Sequence, residues 1–391
     1  MSEQLVCSGC GVALQSERED EPGFVPLSAL TRLQPVCRRC YRITHYGEFS
    51  PVVVPAAEYE RQVAEVGKRP DLVLYVLDVF DLEGSLVPNL ARHIGKSPVV
   101  VIVNKVDLLP KEVRVETLAD WVAERVRSTG VQPAGVCFVS ARKGQGLDAV
   151  DGWIQAEAKS RAYVVGMANV GKSTLVNRLL AGTYPEAAGF TVSRVPGTTV
   201  GLVGADYATK GGHEVQLIDT PGLIQGRRAI DQLCSDCLAT AVPETRLRPR
   251  VYQLDPGQSL WIGNFARFDL VEGVHQPVVC YVSNSLTVHR TKLERSDTFG
   301  REHADDILRV PCPACRQRLG PLQRLEVTAP ARQKSQVTAG GIRFGRQGAD
   351  LTLAGIGWLA LFGRPLCGNL WLPRPLAVTV RPRLLGQLSR R

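Results

Sequence analysis

The feature that most constrains this chain is a glycine loop, Gly166-Met-Ala-Asn-Val-Gly-Lys-Ser173, set between the apolar run Tyr163-Val-Val165 and a helical stretch from Thr174 to Leu180. The pattern G-x-x-x-x-G-K-[ST] needs a strand before it and a helix after it. Gly166 and Gly171 let the backbone curl, so that successive N–H groups and the start of the helix face an anion. Lys172 adds positive charge near the outer phosphates of a nucleoside triphosphate, and Ser173 offers a hydroxyl to Mg²⁺. Asn169, Val170 and Thr174 complete the turn around the phosphates. The loop points to triphosphate binding and leaves the base open.

The surrounding residues supply the sheet that such a loop requires. Leu72–Leu77, Val99–Val103 and Val136–Val139 are short, fully apolar and rich in β-branched residues, while Lys111–Ser128 and Leu147–Lys159 carry a helical period. This alternation predicts βα units and a mostly parallel sheet with helices on both faces. Residues 1–50 are punctuated by cysteines and show no sustained helical period. Residues 227–391 are richer in Pro, Gly and Arg and contain strand-like pieces such as Val278–Val282, which predicts a β-rich region. The expected organisation is therefore 1–50, 51–226 and 227–391.

Further motifs stand at strand ends. Asp219-Thr-Pro-Gly222 follows the apolar Val215–Ile218, where an aspartate beside a phosphate loop holds Mg²⁺ through water. Gly222 can offer an N–H to the γ-phosphate and act as a pivot. Between the two phosphate motifs, Pro196-Gly-Thr-Thr199 can add the Thr199 hydroxyl to the magnesium shell, although by itself it reads equally as a turn. Asn104-Lys-Val-Asp107 follows Val99–Val103. The Asp107 carboxylate can accept the paired N–H groups of guanine, which adenine lacks, and a pocket built on it would leave Asp107 unpaired against adenine. Asn104 can bond the opposite edge, and the Lys105 stem can lie over the ring. Ser140-Ala-Arg142 ends the strand at Val139 and can present a backbone N–H to guanine O6, which places Ser140 and Ala141 at the base.

These five motifs resemble those of the translation-factor-like GTPases, but they occur in the order N-K-x-D, S-A-R, P-loop, P-G-T-T, D-T-P-G. The chain is thus similar to circularly permuted GTPases, and with its cysteine-rich start it resembles the YqeH branch, a likeness that runs through at least residue 226 and more loosely over Arg248–Leu254. The resemblance implies an α/β permuted P-loop domain between a small treble-clef-like zinc finger and a basic C-terminal domain. It also implies GTP hydrolysis to GDP and phosphate, and a role in small ribosomal subunit assembly with rRNA and ribosomal proteins as partners. Asn169 stands where some cation-dependent GTPases have an asparagine that helps to bind K⁺. The other reading of Asn169 is that it only shapes the loop.

Charge and cysteines refine the partners. The net charge is +9, and residues 226–391 hold 24 Lys and Arg against 13 Asp and Glu, so the excess lies wholly in the C-terminal part. Such asymmetry suits a polyanion such as RNA, and an arginine-rich surface with no ligand is the plain alternative. Eight of the 11 cysteines form four C-x-x-C pairs. Cys7, Cys10, Cys37 and Cys40 can complete a closed tetrahedral zinc shell, a redox or iron–sulfur role being the other reading, with Arg32, Arg38, Arg39, Arg42 and His45 around them. Cys234, Cys237, Cys312 and Cys315 make either a second zinc site or four unrelated thiols. The apolar run Leu351–Phe362 is 12 residues long, below the roughly 20 that span a bilayer, and is expected to be core. With no targeting segment visible at Met1–Val6, the expectation is a cytosolic monomer with no membrane partner.

Two functional expectations follow. Leu223 stands where many GTPases place a water-orienting glutamine after D-x-x-G, which predicts slow intrinsic turnover. The rotated order also sends the Asp219–Gly222 loop straight into the basic region, so Leu223–Arg228 is expected to carry nucleotide state there by an order–disorder change. The leading reading is a GTPase that binds an RNA-containing assembly and releases it on hydrolysis. The alternatives are a zinc-containing nucleic-acid-binding regulator with GTP as a ligand switch, and a protein-directed regulator in signalling or redox control.

Overall fold

The computed structural model describes residues 5–19, 21–31, 34–46, 53–54, 56–68, 70–111, 113–183, 192–194, 202–330, 335–338 and 341–384. Two compact units emerge: Met1–Val79 with Ser85–Val106 and Val115–Ile224, and Phe80–Gly84 with Asp107–Arg114 and Gln225–Arg391. The cysteine-rich first 50 residues fall within the first of these.

The first unit runs α1 (Arg38–Tyr46), β1 (Val53–Val54), α2 (Ala56–Lys68), β2 (Leu72–Asp78), α3 (Leu90–Ile94), β3 (Val99–Asn104), α4 (Ala119–Arg127), β4 (Pro133–Phe138), α5 (Leu147–Glu157), β5 (Arg161–Val165), α6 (Lys172–Thr183), β6 (Val192–Arg194), β7 (Val203–Ala208), β8 (Glu214–Asp219) and β9 (Gly222–Leu223). Seven of these strands form one sheet in the order β4-β3-β2-β5-β8-β7-β6. The first five are parallel, and β7 and β6 continue the sheet antiparallel. Every residue of β2 and β3 is buried. Parallel strands covered on both faces read as unbroken apolar runs, which is why these two were visible in the sequence.

One buried carboxylate pins the centre of the sheet. Asp71, just before β2, accepts hydrogen bonds from the backbone N–H groups of Lys159 at 2.8 Å, Ser160 at 3.0 Å and Arg161 at 2.9 Å. These bonds fix the start of β5 against β2 and so set where β5 ends. That end carries the glycine loop. The C-terminal ends of β2, β3, β5 and β8 present Asp78, Asn104, Gly166 and Asp219 on one edge, where open α/β sheets bind ligands.

Two local expectations change. The helix expected over Lys111–Ser128 begins only at Ala119, after a 3₁₀ turn at Val115–Leu118. Val113 donates its N–H to Pro110 O at 3.1 Å, and the β-branched Val113 and Val115 disfavour helix there. In the amino-terminal region, α1 begins one residue after Cys37 and places Cys40 on its first turn. The second C-x-x-C pair thus rides a helix start, although the first 50 residues show no helical period.

The second unit runs α7 (Ser235–Ala241), β10 (Arg250–Leu254), β11 (Gln258–Ile262), β12 (Ala266–Gly273), β13 (Gln276–Val282), β14 (Val288–Lys292), α8 (Leu293–Glu302), α9 (Pro313–Leu319), β15 (Leu322–Ala329), β16 (Gln336–Thr338), β17 (Gly341–Arg343), β18 (Ala349–Leu353), β19 (Gly357–Leu361), β20 (Leu366–Pro373) and β21 (Val378–Arg381). It contains a five-stranded sheet, β10-β13-β19-β18-β21, and a seven-stranded sheet, β14-β11-β12-β20-β15-β17-β16. Leu260, Phe268 and Leu370 from the larger sheet share one buried core with Val278, Leu351 and Leu359 from the smaller. The region is thus β-rich, as expected. The apolar run Leu351–Phe362 forms the β18–β19 hairpin, both strands of which are wholly buried. Among the described residues, no helix is long and apolar enough to cross a membrane.

Candidate active site and metal centres

The phosphate loop joins β5 to α6. Gly171 has φ +94°, and a Cβ there would lie 2.3 Å from the Asn104 side-chain nitrogen, so only glycine fits. Asn169 adopts φ +64°, a conformation asparagine tolerates better than most residues. The Lys172 ammonium is buried and donates to the carbonyls of Gly166 at 3.0 Å and Met167 at 2.8 Å. It therefore lies along the loop that would hold phosphates. Val170 is buried beneath that loop, and Thr174 follows Ser173 in the first turn of α6.

Ser173 and Asp219 meet as the magnesium pattern requires. Ser173 Oγ donates to Asp219 Oδ2 at 3.1 Å, which brings two hard oxygen donors together at the loop and fits Mg²⁺. The Asp219 side chain is 2% exposed, and Arg39 Nη2 of α1 lies 3.5 Å from its Oδ2. Burial pushes the Asp219 carboxyl above the usual carboxylate range, opposed by the charges of Arg39 and Lys172 and by the Ser173 hydroxyl. Thr199 and the rest of Pro196–Thr199 lie outside the described residues.

Gly222 packs on the phosphate loop itself. A Cβ there would approach Ala168 Cα to 2.7 Å. Beyond it, the Ala168 N–H donates to Leu223 O at 2.9 Å, and β9 pairs in parallel with β1. Leu223 is 3% exposed, so it offers no polar group to water. Further on, Arg228 is 2% exposed and its Nη2 lies 3.0 Å from Asp231 Oδ1. The Ala229 N–H donates to Ala354 O at 2.9 Å, and the Ala377 N–H to Arg227 O at 2.8 Å. The segment expected to order and disorder is thus held by strand pairing at Leu223 and by buried ion pairs at Arg228. Its sequence looks like a loop because the partners lie far along the chain.

At the base motif one side chain also braces the protein itself. Asn104 is buried, with its Nδ2 donating to Val170 O at 2.9 Å and its Oδ1 accepting the Ala141 N–H at 3.0 Å. These two bonds hold the phosphate loop to the Ser140–Arg142 loop and use one of the two Nδ2 hydrogens, which leaves the expected bond to the base edge open. The Ser140 N–H likewise goes to Gln145 O at 3.0 Å. The amides of Ser140 and Ala141 thus each meet a protein acceptor in this structure, at the loop expected to face guanine O6. Lys105, at φ +66°, extends its ammonium to Asp78 Oδ2 at 2.6 Å and to Asn169 O at 2.7 Å. Asp107 sits in the 3₁₀ turn Val106–Leu108 directly after β3.

Several supporting residues were not foreseen. Asp78 stands in register with Asn104 on the neighbouring strand. A lone acid ending the apolar run Leu72–Leu77 was the signal available for it. Arg178 of α6 reaches back to Ala141 O at 3.3 Å and Arg142 O at 2.8 Å. It had no such signal, since an arginine on a helix is ordinarily solvated.

The amino-terminal cysteines converge. The Sγ atoms of Cys7, Cys10, Cys37 and Cys40 all lie within 4.8 Å of one another, and all four residues are buried. Cys10 and Cys37 Sγ are 3.7 Å apart, close to the roughly 3.8 Å edge of a tetrahedron with Zn–S bonds of about 2.3 Å. The Cys37 N–H donates to Cys7 Sγ at 3.2 Å, as thiolates in such centres require. Gly9 leaves space that a Cβ would fill, 2.9 Å from Cys40 Sγ. This donor set fits Zn²⁺ and leaves no position for a substrate. Of the basic residues around it, Arg38 pairs with Glu19 at 2.8 Å. Arg32 lies outside the described residues, as does the His45 side chain.

Comparison with known proteins agrees with this architecture. A family model described as 50S ribosome-binding GTPase matches residues 161–249, and one described as YqeH-like, C-terminal matches residues 275–384. YqeH of Bacillus subtilis is 32% identical over 384 residues, which covers 98% of this chain and 100% of its own. NO-associated protein 1 of Arabidopsis thaliana is 26% identical over 400 residues, covering 91% of this chain and 69% of its own. Ribosome biogenesis GTPase A of Priestia megaterium is 29% identical over 184 residues, 43% of this chain and 58% of its own.

Proposed function

The chain belongs to the YqeH family of circularly permuted P-loop GTPases, and from that premise we propose that it binds the small ribosomal subunit or its precursor under control of its guanine nucleotide. GTP and GDP with Mg²⁺ are its ligands. In this reading Asp107 selects guanine, Lys105 and Asn104 shape the pocket, and Lys172 and the Gly166–Ser173 backbone hold the phosphates. Ser173, Thr199 and Asp219 hold Mg²⁺, which neutralises charge on the outer phosphates. Gly222 faces the γ-phosphate. The zinc of Cys7, Cys10, Cys37 and Cys40 is structural.

The observation that carries the reading is the path of the chain beyond Asp219. Gly222 packs on Ala168, and Leu223 is laced to both the phosphate loop and β1. A shift of the phosphate loop on loss of the γ-phosphate therefore pulls on a strand rather than a loose loop. Two residues later begins the segment anchored by Arg228, Ala229 and Arg227 in the unit that holds the excess positive charge. RNA is the partner chemistry that such an excess suits, with salt-sensitive binding. The ribosome is supported by the description of one matched family, which names the 50S subunit, and by the relative named for ribosome biogenesis; the choice of the small subunit rests on the YqeH resemblance.

Hydrolysis in this reading is slow, because Leu223 cannot orient water. A potassium ion near Asn169 would offset phosphate charge as an arginine finger does, an effect worth about 10³–10⁵ in rate in related enzymes. Faster turnover in KCl than in NaCl is the expected result, and equal rates remove the cation. The decisive experiment is co-sedimentation with separated ribosomal subunits in GTP-analogue, GDP and nucleotide-free states. Nucleotide-dependent binding to the small subunit is expected. Binding to neither subunit, or to the large one alone, refutes the proposal.

A further inference from the structure

We propose that Cys234, Cys237, Cys312 and Cys315 bind a second structural zinc ion, which clamps the chain just beyond the nucleotide-responsive strand into the β-sandwich. The four Sγ atoms lie within 4.8 Å of one another. Cys234 and Cys312 Sγ are 3.9 Å apart, again close to the tetrahedral edge of about 3.8 Å set by Zn–S bonds. This is almost twice a disulfide length of about 2.05 Å.

The surroundings are built as for a metal centre. Each pair offers its first cysteine immediately before a short helix, α7 or α9, and its second within the first turn. The bonds between the pairs are reciprocal. The Cys234 N–H donates to Cys315 Sγ at 3.2 Å, and the Cys312 N–H donates to Cys237 Sγ at 3.2 Å. Such N–H donors offset the negative charge of a four-thiolate shell. Arg318 adds a full charge, with Nη2 at 2.9 Å from Cys315 Sγ. Cys237 and Cys315 are buried and Cys234 and Cys312 half-buried, so the shell is closed on four sulfurs with no catalytic position. Tetrahedral sulfur also suits iron, so the test distinguishes the two metals.

Position gives the ion its meaning. Cys234 and Cys237 follow the Arg228–Asp231 anchor, while Cys312 and Cys315 come from beyond β14 and α8. Arg318 also donates from Nε to Gln232 O at 2.9 Å, tying the centre to that same anchor segment. Residues 225–237 contribute none of the twelve described strands of this unit. Beyond the backbone bonds of Arg227 and Ala229, a metal crosslink holds them to the sandwich.

The test is metal analysis of the full-length chain purified without added metal, with zinc-edge X-ray absorption on the same sample. Two zinc ions per chain in an all-sulfur shell are expected. Cys234→Ser/Cys312→Ser and Cys7→Ser/Cys10→Ser should each retain one. One zinc in the unaltered chain overturns the proposal, as does a sample containing iron or a mass showing disulfides. Two zinc ions retained by Cys234→Ser/Cys312→Ser overturn it equally. Should either variant fail to fold, the stoichiometry and sulfur shell of the unaltered chain decide the matter.

Discussion

Replacing Arg39 by methionine tests whether the helix that carries Cys40 is electrostatically part of the nucleotide site. Arg39 Nη2 lies 3.5 Å from Asp219 Oδ2, and the two side chains are 11% and 2% exposed. At that separation, with an effective dielectric near 20, the pair attraction is about 5 kcal/mol. Methionine keeps most of the volume and recovers the hydration cost of the guanidinium, while Lys172 and Ser173 continue to oppose the burial of Asp219. The net loss is therefore expected at about 2–4 kcal/mol, at or below the roughly 3–5 kcal/mol for breaking a fully buried pair. In a unit of this size that corresponds to a melting temperature lower by roughly 5–12 °C. The distinguishing readout is magnesium. Mg²⁺ with GDP supplies a countercharge to Asp219, so the deficit of Arg39→Met should shrink by at least half when both are saturating. Because Arg39 and Mg²⁺ compete for one carboxylate, the variant should also bind Mg²⁺ more tightly. Differential scanning fluorimetry with and without Mg²⁺ and GDP, on protein checked for retained zinc, measures both. A deficit identical in the two conditions refutes the reasoning. So does strict additivity between Arg39→Met and Asp219→Asn, since the pair predicts strong coupling.

Other perturbations probe the remaining contacts. Asp107→Asn should shift preference from guanine toward xanthine nucleotides, since the amide offers xanthine the complementary donor; unchanged GTP affinity would place the base pocket elsewhere. Asn104→Ala removes two buried hydrogen bonds and should cost about 2–4 kcal/mol while loosening the phosphate loop. Chemical denaturation together with nucleotide affinity measures this, and a loss in one without the other would separate clamp from ligand. Burial pushes the Cys280 thiol up to about 12 and the Cys137 thiol up to about 11. Both should therefore resist alkylation at pH 8 in the native chain and react only on unfolding; mass spectrometry after timed labelling detects any early modification.

What could be read along the chain and what could not divide by the range of the interaction. The runs at Leu72 and Val99 were legible because strands buried on both faces carry their burial in consecutive residues. The glycine loop was legible because Gly171, Lys172 and Ser173 act through backbone and side chains within a single turn. The start of α4 was misplaced where Val113 and Val115 sit in a stretch otherwise favourable to helix, a contest of weak propensities that the turn at Pro110 decides. The bracing by Asn104 went unread for a different reason. Its residue type suits equally a base edge, a carbonyl and an amide, and only the approach of Val170 and Ala141, 66 and 37 residues away, adds the last two. The cysteine pairs show the same limit more sharply. All four have one spacing, so the spacing cannot say which pair completes which shell. Across 26 intervening residues the amino-terminal pairs had a family pattern to support their closure. Across the 74 between Cys237 and Cys312, only the register of the sandwich strands brings α9 to the start of α7. Long-range closure is therefore a property of the β-sheets, and their topology chooses between the two readings, a second centre or four unrelated thiols, that the sequence left open.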